Sequence, residues 1–489
     1  MKKVFGWGVA TAAFALFFSA ATFDVATAQE AKKAKNVILF VGDGMGFNSD
    51  ILGTYWRYGK PDAQSYHQFP VKLASATFAA EKAYDPEKDK GYAEEKAWKG
   101  PEAVQHRLFP NGPVTDSAAS GTALNAGVKT RGSRLNYSKT GEKLENFADV
   151  NYRAGRSVGV VTTVQISHAT PAAASAHNMS RGNYEEISKE QINDLPLTVL
   201  FGSGHPAYKR GVKINKKPEE LNYQFVGGRE VWEAVSKDEG YKGWKFIDER
   251  DEFAALAKMT PDTNPTDLPK KILGVGRDVD DLLPIDGFAD DESFVKERYS
   301  EEAFANTPTL TDMTIGALNV LAQNDNGFYL MVEGGAIDHA NHGRNAQNSA
   351  LEHAGFSKAI DAAIAWVEKY SSWEDTIMIV TSDHETGQIW GAGTYEDTNE
   401  NGKFDEEDDF IEFKKLEDSG VGECPDVQYL SSGHTNSLVP VYVKGQGADF
   451  AKDFIRGNDQ TAADMWNFSG DFIYNSDVFN IMKAASGLE

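Results

Sequence analysis

Cysteine is almost absent. Cys424 stands alone in 489 residues, so no intrachain disulfide can form, and stability must come from core packing, metal ions or assembly. Basic residues are the second shortage: 49 Lys and Arg face 73 Asp and Glu, for a formal charge of -24. That balance argues against a nucleic-acid partner, and it repels an anionic substrate unless the site carries its own positive potential. Long apolar runs are also missing after the start of the chain, where "FGWGVATAAFALFF" is itself shorter than the roughly 20 residues of a spanning helix. That run follows Lys2 and Lys3 and leads to small residues ending at Ala28. This is the layout of an export signal occupying 1–28 and cleaved after Ala28, and a membrane anchor is the alternative that its length disfavours. Cleavage removes Lys2, Lys3 and Asp24, a net +1, and leaves the mature chain at -25. The protein is expected to be exported, periplasmic or secreted, with no membrane anchor after cleavage and with 29–489 as one domain.

Against these shortages, a hydrophobic content of 41% with 9 Trp describes a globular chain with ample core. Continuous apolar runs at 36–41, 157–164, 197–201, 327–332 and 375–381 suit strands covered on both faces. Helical patterns at 310–324 and 345–370 alternate with them. The pattern predicts an α/β fold, a three-layer α/β/α sandwich with a large, mostly parallel central sheet. Three stretches read as peripheral insertions: a charged one at 81–106, a loop-rich one at 205–300, and 388–432. No internal repeat or coiled coil is evident.

Several of the strands stop in polar residues: Asp43 between glycines after the first, Glu333 after "FYLMV", and Asp383 with His384 after "IMIVTS". A single strand-end acid is commonly a cap or turn former. Three such ends point to a shared site, since ligands of open α/β sheets sit at the carboxyl ends of strands. Asp338 and His342 lie four apart, on one face if helical, and could grip one ion or simply begin a polar helix. His434 is isolated among small residues, a setting in which a structural histidine is the commoner case.

Taken together, six segments in order, "VILFVGDGMG", "VTDSAASGTA", "HATPAAASAHNMSR", "YLMVEGGAIDHANH", "IVTSDHETG" and "SGHTNS", resemble the motifs of the alkaline phosphatases over about residues 36–445. The resemblance implies a single catalytic domain that hydrolyses small-molecule phosphomonoesters of broad kind, with two zinc ions and one magnesium per chain, and it leans to a homodimer. It places the first zinc on Asp338, His342 and His434. The second falls on Asp43, Asp383 and His384, with Ser117 as the attacking group that becomes a phosphoserine. Magnesium falls on Asp43, Thr170 and Glu333. Arg181 would clamp the phosphate with its planar fork, and Asp116 would orient Arg181. His168 and His339 stand where other members carry Asp and Lys, and would reach the third metal and the phosphate through water. Three dications against four carboxylates and an alkoxide leave about +1, the local positive potential that so acidic a chain needs.

Sulfatases and phosphodiesterases share such a scaffold. A sulfatase requires a modification sequence with Pro and Arg that "TDSAASG" lacks, and a diesterase is expected to lack Arg181 and the third-metal ligands. A non-catalytic calcium- or zinc-binding protein would leave "VTDSAASG" and "HNMSR" without a role. A further metal site lies outside the resemblance. In "DTNENGKFDEED", Asp397, Asn399, Asn401, the Lys403 carbonyl, Asp405 and Asp408 fall at the ligand places of a calcium loop, with Gly402 at the sixth. Asp replaces the usual Glu at the twelfth place and shortens its reach. A solvated acidic loop is the alternative.

Overall fold

The strand Asn36–Gly42 is buried along its whole length. Val37, Leu39 and Val41 enter one apolar cluster, whereas Ile38 and Phe40 enter another on the opposite face. Its sequence therefore shows no polar alternation: both faces are covered, and successive side chains point to opposite cores. In this computed structural model residues 1, 32–80, 114–237, 240–263, 267–287, 300–396 and 410–489 are described. Residues 2–28 of the segment read as an export signal, the insertion expected at 81–106 and the calcium-site reading at 397–408 lie outside the described residues.

Among the described residues eleven strands form the main sheet: β1 Asn36–Gly42, β2 Val71–Ala76, β3 Ser157–Gln165, β4 Val199–Ser203, β5 Lys245–Ile247, β6 Ile272–Val275, β7 Phe328–Gly334, β8 Thr376–Thr381, β9 Val439–Gly445, β10 Gly457–Asn458 and β11 Asp471–Tyr474. Their order is β10-β11-β2-β9-β8-β1-β7-β3-β4-β6-β5. The block from β8 to β5 is parallel throughout. β9 runs antiparallel to both β8 and β2.

Helices cover the two faces. Leu310–Leu321 and Ala346–Tyr370 supply Leu318, Leu321, Phe356 and Ile360 to one core, and Asn475–Ser486 supplies Ile481 and Met482 to the other. Each fully buried Leu or Ile contributes roughly 1.5–3 kcal/mol. Ala346–Tyr370 starts where the Asn345 side chain accepts a hydrogen bond from the Asn348 amide at 3.0 Å. The three-layer expectation is met. In the stretch 205–300 the short apolar pieces "KFI" and "ILGV" pair as β5 and β6 at one edge of the main sheet. The described part of 388–432 forms two small ladders, Ile389–Gly391 with Val427–Tyr429 and Tyr395–Glu396 with Phe410–Ile411. Among the described residues no helix is long and apolar enough to cross a membrane.

Candidate metal centre and active site

Strand register brings the polar strand ends to one level. Val41 of β1 pairs with Glu333 of β7 and Thr381 of β8, and Glu333 also pairs with Thr162 of β3. Asp43, Glu333, Asp383 and His384 are all buried along this rim. Gly44, just beyond Asp43, has a φ of 71°, and a Cβ there would lie 2.8 Å from both Cα and Oδ1 of Asp338. Only glycine lets the loop after β1 rest directly on the helix Ala336–His342.

Ser117 opens the helix Ser117–Ala126, whose ten residues are all buried. Its plain composition follows from its packing: a Cβ at Gly121 would stand 2.7 Å from Cβ of Ala173 on the short helix Ala169–Ala173. Asp116 caps the helix by accepting from the Ala119 amide at 3.0 Å. Its other oxygen accepts from the Ser133 amide at 2.9 Å and from Arg181 Nη1 at 3.3 Å. One carboxylate thus seats Ser117 and holds Arg181 beside it. Ser120 Oγ donates to the Asp383 carbonyl at 2.5 Å, tying the helix to the end of β8. Ser117 Oγ itself lies 3.2 Å from His384 Nε2.

Hydrogen bonding fixes the three imidazoles. His342 Nδ1 donates to the Ser432 carbonyl at 2.6 Å and His434 Nδ1 to the Thr115 carbonyl at 2.8 Å. His384 Nδ1 donates to Thr386 Oγ1 at 3.3 Å, and that hydroxyl in turn donates to Asp338 Oδ1 at 2.6 Å. Every Nε2 is consequently a lone pair turned into the site. His342 and His434 bring theirs within 3.0 Å of each other, a repulsive meeting of two acceptors that a shared cation converts into ligation. Asp338 completes that group, its oxygens 3.3 and 3.6 Å from the two nitrogens. His384 Nε2 is 3.0 Å from Asp383 Oδ2 and 3.5 Å from Asp43 Oδ1. Each triad, Asp338–His342–His434 and Asp43–Asp383–His384, keeps its ligand atoms within 4.8 Å of one another.

Asp43 Oδ1, Asp383 Oδ2 and Glu333 Oε1 are buried without a hydrogen-bond donor. Burial, together with the charges of Asp383, Asp338 and Glu333, holds the Asp43 carboxyl well above its ordinary range. Burial and the Asp383 charge push Glu333 up to about 7, against the hydrogen bond it accepts from Thr162. So many carboxyls cannot all stay ionised in so dry a site without cations, and the oxygen and imidazole donors present suit divalent ions. Thr170 Oγ1 donates to Asp43 Oδ2 at 3.2 Å, which sets a hydroxyl and the two carboxyls of Asp43 and Glu333 on the β7 side of the second triad, an oxygen-only group. His168 lies alongside. Its Nδ1 is buried and unpaired, its Nε2 is 3.4 Å from Arg181 Nη2, and burial with the Arg181 charge lowers it to about 3.

The family model for alkaline phosphatase matches residues 34–488. The chain belongs to the alkaline phosphatase family. Alkaline phosphatase 4 of Bacillus subtilis is 31% identical over 290 residues, 58% of this chain and 52% of that protein. The alkaline phosphatase of Gadus morhua is 28% identical over 396 residues, 74% of this chain and 71% of that protein. The chain thus spans about half the length of the first of these relatives. Among solved structures, Thermus thermophilus alkaline phosphatase superposes with a TM-score of 0.61 at 21% identity, over 97% of this chain and 96% of that one. A mutant of TAB5 alkaline phosphatase with Mg bound in its M3 site superposes with a TM-score of 0.60 at 21% identity, over 94% and 100%. These structures share the fold.

The structure brings Asp43, Asp116, Ser117, His168, Thr170, Arg181, Glu333, Asp338, His339, His342, Asp383, His384 and His434 into one neighbourhood; the calcium-loop residues, which the resemblance did not name, lie outside the described residues. Three further contributors escaped sequence reading. Thr386 bridges Asp338 of one triad to His384 of the other. Thr162 holds Glu333. Asp281 Oδ2 meets His339 Nδ1 at 2.6 Å. Thr386 follows "SDHE" at the two-residue spacing that returns a strand side chain to the same face, a signal that was available. For Thr162 and Asp281 no local pattern exists.

Proposed function

We propose that this chain is an exported phosphomonoesterase that releases inorganic phosphate from small phosphomonoesters through a phosphoserine on Ser117, with two zinc ions and one magnesium. The observation that carries the reading is the pair of imidazole lone pairs on His342 and His434 at 3.0 Å, each fixed by a backbone carbonyl behind it, beside a second triad that reaches Ser117. Zinc would be held by Asp338, His342 and His434 and by Asp43, Asp383 and His384, and magnesium by Asp43, Thr170 and Glu333. When bound, these cations supply Lewis-acid polarisation and lower the proton affinity of hydroxyl groups near them.

Ser117 Oγ attacks phosphorus in line with the departing alcohol, giving the phosphoserine, and water then attacks phosphorus to return Ser117 and free phosphate. Arg181, aimed by Asp116, binds two phosphoryl oxygens through its planar fork. The amide groups at the start of Ser117–Ala126 face the same anion. The presence of Arg181, Thr170 and Glu333 favours monoesters over diesters. Export is supported by the layout of residues 1–28, assembly as a homodimer by the family's tendency, and calcium binding by the register of Asp397–Asp408. Ser117→Ala tests the reading: phosphate release should fall at least about a thousandfold while zinc and magnesium content stay constant. Unchanged turnover in that variant would remove Ser117 from the chemistry.

A further inference from the structure

We propose that Asp281 is a positioning residue of the phosphate site, acting through His339. The inference rests on the phosphatase reading and extends it to a stretch that the sequence marks as peripheral. Gly276–Leu283 follows β6 and is pinned against the ends of β3 and β4. Leu282 N donates to the Thr163 carbonyl at 2.8 Å and Gln165 Nε2 to the Val279 carbonyl at 3.1 Å, while Gly204 N and His205 N both donate to the Asp278 carbonyl at 2.8 Å. Asp281 is therefore presented by fixed backbone, although it has no neighbour in sequence among the site residues.

Its Oδ2 is 2.6 Å from Nδ1 of His339, the residue directly after the metal-triad member Asp338. The His339 side chain is 36% exposed, so packing alone does not fix its ring. A short bond to a carboxylate does, and it commits Nδ1, leaving Nε2 as the ring atom open to other partners. The ring meets His168 edge to face with centroids 5.4 Å apart, and His168 Nε2 in turn lies 3.4 Å from Arg181. Arg181 ends on Asp116 at 3.3 Å. The wall beside Ser117 is thus one continuous row, Asp281–His339–His168–Arg181–Asp116, with a carboxylate anchoring each end and the groups suited to an oxyanion between them. Asp116 does for Arg181 what Asp281 does for His339: it fixes the direction of a flexible donor before phosphate arrives.

The test is calorimetric titration of the full, zinc- and magnesium-loaded chain with inorganic phosphate, read beside metal content, melting temperature and KM and kcat on a phosphomonoester. Asp281→Ala should weaken phosphate binding about tenfold and raise KM more than it lowers kcat, with metal content unchanged. Asp281→Asn, which keeps an acceptor for Nδ1–H, should recover most of the loss. In a His339→Ala background, Asp281→Ala should change phosphate affinity less than about twofold, because the two act as one unit. Phosphate affinity within twofold of wild type in Asp281→Ala would overturn the proposal, as would an undiminished tenfold loss in the His339→Ala background. Absence of wild-type turnover would instead sink the phosphatase reading, and the phosphate titration would still report on Asp281.

Discussion

Two constellations in this molecule have the same composition, one aspartate and two histidines, and opposite design. In Asp338–His342–His434, the imidazoles spend Nδ1 on backbone carbonyls and turn their Nε2 lone pairs toward each other. In Asp50–His67–His353, the Nε2 atoms donate to the carboxylate, at 2.8 Å from His67 and 3.1 Å from His353. The hydroxyls of Tyr66 and Tyr442 fill the remaining places at 2.7 and 3.0 Å. Each Asp50 oxygen thus receives two donors, which leaves a cation no lone pair to bind. What separates a candidate ligand set from a structural knot is the hydrogen-bond accounting of the second ring nitrogen, which residue type alone does not reveal.

One substitution applied to both constellations should separate them most sharply. Asp338→Asn is expected to lower phosphomonoester turnover about a thousandfold through loss of a proposed zinc ligand, whereas Asp50→Asn should leave turnover per folded molecule within about twofold. Equal losses in steady-state assays corrected for folded fraction would erase the distinction.

Stability should divide the pair in the other sense. Asp50→Asn strips the charge from a buried, fully bonded carboxylate and should cost about 3 kcal/mol at neutral pH in urea unfolding. Burial raises the Asp50 carboxyl, but the charge of His67 and the hydrogen bonds from His353 and His67 outweigh it and hold the group far below its ordinary range. A carboxyl lowered in the folded state stabilises above its unfolded value, near 3.9, and loses that contribution as the pH falls through the folded value. The gap between wild type and Asp50→Asn should therefore be full at pH 7 and narrow below about pH 4. A gap that stays constant into acid would mean that Asp50 contributes through shape alone.

Thr386 sharpens the comparison from the metal side, since its hydroxyl both orients Asp338 and commits His384 Nδ1. Thr386→Val should weaken zinc retention against a chelator about 10- to 100-fold, and Thr386→Ser should restore it. Retention equal to wild type in the valine variant would reduce the hydroxyl to packing. The smallest effect is expected from calcium. In metal-stripped, zinc-reconstituted protein it should raise the melting temperature by about 2–4 °C, and Asp397→Ala should abolish the rise. No response in the parent protein would return that loop to the solvated acidic reading.

Much of the metal centre was legible because its residues sit where chain direction changes. Asp43, Glu333, Asp383 and His384 each close a strand whose apolar run is unmistakable, and Asp338 with His342 carries helical spacing. His434 needed the family resemblance, since a lone imidazole among small residues has no period to announce it. Asp281 and Thr162 stayed invisible because their partners are 58 and 171 residues away. The central strands were readable from double-sided burial, but β5 and β6 are too short for periodicity. The antiparallel setting of β9 depends on pairing that no local pattern encodes.

Gly44 determines how the two ligand groups are spaced. With nothing but hydrogen on its α-carbon, the turn carrying Asp43 lies in van der Waals touch with the backbone of Asp338. The separation between the two candidate ligand groups is thereby gauged by the thickness of a polypeptide main chain. Rotamer changes alone cannot stretch that ruler, because the backbone of Asp338 stands against the turn.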